Sequence, residues 1–218
     1  MTVLRAHDAQ DKSVNQTKQS HAVVEGRVVT NDGMPVANAT VYALRDCRSF
    51  LNVTDDQGNF TLPVLAGKHR ISAYKESDGY PDLLWSFYSE AYGREGFPIV
   101  NVEENQIVRG VIVRLGPEAS RLFIRVIDAR TKRPIRDASL ALNHKGKPET
   151  RFEPGGTKMD GEFDTLIPAS LPINVVLKAP GYKTWRYVKG GSVDRDVIRL
   201  RPGSSIEMTV ELKPASVG

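Results

Sequence analysis

Residues 28–41 read Val28-Val29-Thr30-Asn31-Asp32-Gly33-Met34-Pro35-Val36-Ala37-Asn38-Ala39-Thr40-Val41, and residues 126–140 read Val126-Ile127-Asp128-Ala129-Arg130-Thr131-Lys132-Arg133-Pro134-Ile135-Arg136-Asp137-Ala138-Ser139-Leu140. Each stretch runs strand, turn, proline followed by a hydrophobe, then an alanine that opens a second strand. Downstream, Asp55-Asp56-Gln57-Gly58-Asn59-Phe60-Thr61-Leu62-Pro63 aligns with Lys158-Met159-Asp160-Gly161-Glu162-Phe163-Asp164-Thr165-Leu166, and Gly79-Tyr80 aligns with Gly181-Tyr182. The paired glycines lie 103 and 102 residues apart, and so constant an offset is the mark of an internal duplication. Closing strands at 108–115 and 206–212 complete each copy, and Gly116-Pro117-Glu118 reads as a short linker. The expected organisation is a disordered segment over 1–20, a first unit over 21–117, a second over 118–214 and a tail at 215–218.

Inside each copy the apolar period is two. Leu122, Ile124 and Val126 fall on one face of a strand, with Phe123, Arg125 and Ile127 on the other. Short strands separated by Gly, Pro, Asn and Asp turns predict an all-β sandwich, and no ten-residue stretch carries a 3.6-residue apolar period, so helix content should be very low. Gly58 and Gly161 sit at hairpin tips, where a positive φ is needed. Phe60 and Phe163, each two residues further on, are expected to point inward as equivalent core anchors.

The chain has 218 residues with 30 basic and 26 acidic side chains, a net charge of +4. The excess is uneven: residues 21–120 hold nine basic and 13 acidic side chains, residues 121–218 hold 18 and 11. Acidic first half and basic second half are expected to attract each other or a neighbouring molecule. Nucleic acid is not an expected partner, because the basic residues alternate with acidic ones and lack an aromatic-flanked cluster. No run approaches the roughly 18 apolar residues of a membrane helix. Residues 1–20 hold no apolar block that would serve as a signal peptide. The protein is therefore expected to be cytoplasmic if the chain is complete, and periplasmic or extracellular if a leader is missing from this sequence. A single cysteine, Cys47, excludes an internal disulfide and a CxxC zinc site. His7, His21, His69 and His144 show no metal-binding spacing, so neither metal nor cofactor is expected.

The order of these motifs resembles the carboxypeptidase regulatory-like domains. The first copy carries Gly26, Gly33, Pro35, Val36, Ala39, Thr54, Asp55, Gly58, Phe60, Leu62, Pro63, Gly67, Gly79 and Tyr80 in the family's order. Residues 118–214 resemble the family as a diverged copy, with Thr131-Lys132-Arg133 in place of the Asp-Gly turn and no glycine equivalent to Gly67. The resemblance implies two tandem seven-stranded Greek-key β-sandwiches of transthyretin-like (prealbumin-like) topology. It further implies a non-catalytic module of secreted or surface proteins, in a superfamily that includes carbohydrate binders. It speaks to fold far more than to activity.

The densest unusual stretch follows the first Gly-Tyr. Residues 80–98 hold six of the chain's sixteen aromatics, Tyr80, Trp85, Phe87, Tyr88, Tyr92 and Phe97. Rings presented on a loop can stack on sugars or anchor a partner, and rings closing the end of a sandwich would be core. Trp185, with Tyr182, Arg186 and Tyr187, is taken as the counterpart in the other copy. Trp85, Tyr88, Tyr92 and Arg94 are the candidate ligand contacts, for a protein or glycan partner at the cell surface. Asp55-Asp56-Gln57-Gly58-Asn59 is dense in oxygen but lacks the closing glutamate of a calcium loop, and reads as a turn. Asn15, Asn38, Asn52 and Asn59 begin Asn-x-Thr, a glycosylation signal only in a secretory pathway with an endoplasmic reticulum. No catalytic residues are expected, and the function read from the sequence is a non-catalytic exported binding or spacer module. The alternative is a small hydrolase or dioxygenase on the transthyretin-like scaffold, for which the His and Tyr spacings of those enzymes are missing.

Overall fold

A computed structural model describes residues 21–45, 48–93, 95–155, 160–188 and 196–215. The expected disordered segment 1–20, Cys47, Arg94, Met159 and residues 216–218 lie outside them. The described residues are all-β apart from one short helix and a single 3-10 turn at Glu76–Asp78. The first half contributes β1 (His21–Val29), β2 (Thr40–Arg45), β3 (Arg48–Val53), β4 (Asn59–Leu65), β5 (Gly67–Tyr74), α1 (Ser86–Tyr92), β6 (Ile99–Val102) and β7 (Ile107–Arg114). The second contributes β8 (Ser120–Asp128), β9 (Ser139–His144), β10 (Lys147–Phe152), β11 (Glu162–Ile167), β12 (Ile173–Lys178), β13 (Trp185–Arg186) and β14 (Ser205–Leu212).

Each half folds into a three-stranded and a four-stranded sheet, and no sheet among the described residues mixes strands of the two. The orders are β4-β1-β7 with β3-β2-β5-β6, then β11-β8-β14 with β10-β9-β12-β13. Adding seven to every strand number of the first half reproduces the second. The match extends to direction, since β1 runs parallel to β7 and β8 runs parallel to β14 while the remaining pairings are antiparallel.

The period-two reading translates directly into burial. Leu122, Ile124 and Val126 are buried on one face of β8, and Phe60, Leu62 and Val64 on one face of β4. Phe60 and Phe163 are 4% and 3% exposed and sit across the ladder from Gly26 and Ile124, so both are the core anchors expected of them.

The two motif pieces that recur in the sequence meet in space. At Gly58 (φ +76°) an added Cβ would come within 2.7 Å of the Val28 carbonyl oxygen and 3.2 Å of the Pro35 Cβ. At Gly161 (φ +78°) the same atom would lie 2.8 Å from the Val126 oxygen and 3.1 Å from the Pro134 Cβ. The hairpin glycine must thus bend backwards and also let the proline segment of the other motif lie on it, two demands that only a residue without a Cβ meets. The backbone closes the unit identically in both halves: the Val28 N–H donates to Gly58 and Val36 to Val28, as Val126 does to Gly161 and Ile135 to Val126. In the first half, buried Thr54 adds a side-chain tie, donating to the Val36 carbonyl at 2.7 Å and accepting from the Ala39 N–H at 2.8 Å.

The linker is packed. Leu115 and Ala119 are buried, and the Ala119 N–H donates to the Gly79 carbonyl at 2.8 Å. One connected cluster of buried apolar side chains draws on both halves and includes Leu83, Phe87, Tyr88 and Phe97 of the aromatic stretch.

Candidate functional site

Between β5 and β6 the first half uses residues 75–98, whereas β12 reaches β13 through residues 179–184 alone. The extra chain forms α1. Asp82 sets it up, accepting from the Tyr42 hydroxyl at 2.6 Å and from the Leu84 N–H at 2.9 Å, which pins the approach to the helix against β2. Gly93, at φ +73°, ends the helix and donates its N–H to Ser89. In seven residues the helix buries two neighbours, Phe87 and Tyr88, and turns both to the second half.

Phe87 stacks on Phe152 of β10 with ring centres 5.1 Å apart and planes 7° from parallel. Tyr88 meets the same Phe152 edge-on at 5.5 Å, and His144 lies 5.3 Å from Phe87. Polar atoms close the contact. The Tyr88 hydroxyl donates to the Leu166 carbonyl at 3.0 Å, and the Tyr92 hydroxyl accepts from the Ala169 N–H at 2.7 Å. His144 Nε2 lies 2.8 Å from the Phe87 carbonyl oxygen, which has no proton to give, so Nε2 carries the hydrogen. Burial pushes the phenols of Tyr88 and Tyr92 up and the His144 imidazole down, favouring the neutral form of each over the opposing pull of the Ala169 and Phe87 bonds on Tyr92 and His144.

The four candidate ligand contacts therefore separate. Tyr88 is 3% exposed, with its ring on Phe152 and its hydroxyl on Leu166, and Tyr92 is half-buried, with its hydroxyl on Ala169. Trp85 stays 56% exposed, its ring edge-on to Phe152 at 5.9 Å. Arg94 lies outside the described residues. The equivalence of Trp185 with the first aromatic stretch also changes: Trp185 is in β13, which occupies the place of β6, so its positional counterpart is the 99–102 strand and not Trp85. Of the residues that complete the joint, Phe152, His144 and Ala169 carry no signal in the sequence, and Leu166 ends the repeated hairpin motif without marking the contact.

The joint walls one side of a cleft of about 300 Å³. Glu76 and Ser77 line it from the first half, Arg121, Phe152 and Asp164 from the second, and Tyr88 from the helix between them. Among the described residues no group of three His, Cys, Asp or Glu side chains is placed to hold a metal ion. The carboxylate of Asp55 is turned inward on its own loop, accepting from the N–H groups of Gln57 and Asn59. Those bonds lower its pKa and make the loop a self-contained turn. His69 is wholly buried, with Nε2 2.7 Å from the Leu65 carbonyl. No helix among the described residues is long and apolar enough to cross a membrane.

No family model matches the chain, and no curated protein matches it. Solved structures are similar to it at low identity. A shaft pilin, SpaA from Lactobacillus rhamnosus GG, is 10% identical over 91% of this chain and 98% of its own, with a TM-score of 0.37. The Bacillus anthracis TIE protein is 13% identical over 90% of this chain, which spans 34% of that protein, with a TM-score of 0.34. A hydroxyquinol 1,2-dioxygenase from Pseudomonas putida is 13% identical over 44% of this chain and 56% of its own, with a TM-score of 0.33.

Proposed function

We propose that the chain is a non-catalytic module of two carboxypeptidase regulatory-like domains, 21–117 and 118–214, that acts outside the cytoplasm as a rigid spacer between binding partners. The observation that carries this reading is the joint. Two aromatic rings of α1, packed on Phe152, and three hydrogen bonds tie the helix to the second half. A spacer has to transmit geometry, and inter-domain contacts within a chain allow relative motion unless they are apolar and well packed. The inserted helix supplies such packing, at a point where the second half has only a six-residue connection. In this reading Trp85, exposed at the rim of the joint, is the member of the candidate set offered to a protein or glycan partner.

Amide relaxation on the labelled chain tests the rigidity. One rotational correlation time for both halves is the expected result, and two different times in the parent protein would overturn the spacer reading. Fractionation of the source cells tests the compartment, where recovery of the mature protein from the cytosol would overturn it.

A further inference from the structure

The cleft beside the joint has an electrostatic asymmetry that the spacer reading does not use. Arg121 is held in place: one guanidinium nitrogen donates to Asp164 Oδ1 at 2.7 Å, and another to the backbone oxygen of Glu76 at 3.1 Å. Asp82, nearby, is committed to Tyr42 and Leu84. The side-chain carboxylate of Glu76 has no hydrogen-bond or ion-pair partner among the described residues. Partial burial and repulsion from Asp82 raise its pKa, with Arg121 easing the effect. Two carboxylates and one guanidinium leave the cleft one negative charge in excess, and the excess is concentrated on the carboxylate that is unpaired. Tyr88 and Phe152 line the same cleft, and aromatic rings in a lining attract a cation. The Ser77 hydroxyl, which donates to Asp78 at 2.9 Å, keeps its lone pairs free to accept.

We infer that the cleft between the two halves is a binding site for an organic cation, a primary ammonium on a short aliphatic stem. The ammonium head meets the Glu76 carboxylate and the Ser77 hydroxyl, and the stem lies along Tyr88 and Phe152. An anion is disfavoured because the lining carries two carboxylates against one guanidinium, whose charge Asp164 already balances. A neutral polyol would leave the Glu76 charge uncompensated. Two sources carry the same chemistry, a free alkylamine and the lysine side chain of a partner protein. The site does not depend on the spacer role, and its failure would leave the joint unaltered.

The test titrates the full, isotope-labelled chain with n-butylammonium and, separately, with lysine blocked as its Nα-acetyl methylamide. Butanol and the blocked norleucine analogue serve as neutral controls of the same shape. Saturable shifts confined to amides around residues 76–77 and 164–165 are expected from a cation and not from its control. Tighter binding of blocked lysine points to a protein partner and tighter binding of butylammonium to a free amine, and either supports the site. E76Q should weaken the cation about tenfold, the weight of one charge-assisted contact at a solvent-open position, without lowering the melting temperature. S77A, a second exposed change, should weaken it less. Equal binding of cation and neutral control, no binding of either cation, or unaltered affinity in E76Q would overturn the proposal.

Discussion

Removing the Phe87 ring should uncouple the two halves. Phe87 is 1% exposed, and its ring reaches into the second half, stacking at 5.1 Å on Phe152 and lying 5.3 Å from His144. Truncating a buried phenylalanine to alanine costs about 3–5 kcal/mol, the sum of lost burial and the cavity left behind. In a chain of this length each kcal/mol corresponds to roughly 2–4 °C in melting temperature, so Phe87→Ala should melt about 6–20 °C lower than the parent. The loss falls at the joint, and its signature is therefore separation as well as weakening. One tryptophan reports on each region, Trp85 at the joint and Trp185 in β13. Urea titrations of single-tryptophan variants, Trp185→Phe for the first and Trp85→Phe for the second, should give coincident transitions on the parent background. With Phe87→Ala added they should part. Coincident curves at the parental midpoint would refute the argument that α1 couples the halves.

Gly58→Ala and Gly161→Ala should each destabilise by about 2–4 kcal/mol, combining the left-handed backbone with a Cβ pressed on a carbonyl oxygen, as read from urea midpoints; a change under about half a kcal/mol at either would show that the turn can relax. Phe60→Ala and Phe163→Ala should each cost about 3–5 kcal/mol, and a parent-like melt in either would mean its ring does not anchor the core. Asp128 accepts from the N–H groups of Thr131 and Arg130 and from the Tyr182 hydroxyl, which hold its pKa down to about 2. A folded pKa below the unfolded value of about 3.9 adds stability that is present in full above that pH and is lost as pH falls towards 2. Asp128→Asn should therefore flatten the acid limb of a stability profile taken from pH 6 to pH 2, and parallel limbs would refute the assignment.

The strands are legible in the sequence because their physics is local. Alternation puts Leu122, Ile124 and Val126 on one face whatever lies across from them. The glycine and proline motifs are legible as signals, though the reason they travel together is not. It lies in the contact of Gly58 with Pro35 and of Gly161 with Pro134, across more than 20 residues of chain. The aromatic stretch is legible as unusual, but the burial of the Tyr88 ring against the second half is not. A seven-residue helix is too short to write a period into the sequence, and a ring meant for another half of the chain has the same local signature as one meant for a ligand. The sequence does not mark Phe152, His144, Leu166 or Ala169 for this contact, since two of the four act through backbone atoms that any residue would supply.

The charge asymmetry invites the idea that the halves are held by electrostatics, and the joint argues against it. An ion pair that bridges them, Lys147 with Glu90 at 3.4 Å, joins side chains that are both half exposed, and such pairs contribute about 0–1 kcal/mol, screened further by salt. Other ion pairs, such as Arg125 with Glu162, Lys132 with Glu211 and Arg109 with Glu25, close within one half. Against this stand the buried rings of Phe87 and Tyr88, each worth about 2–3 kcal/mol by area alone, and bonds whose donors and acceptors are uncharged. Raising sodium chloride from about 0.05 to about 1 M shortens the screening length to about 3 Å. It should therefore leave the coupling energy between the halves, measured as the difference between parent and Phe87→Ala, within about 1 kcal/mol of its low-salt value. A coupling that collapsed in salt would transfer the joint from the aromatic helix to the opposed charges of the two surfaces.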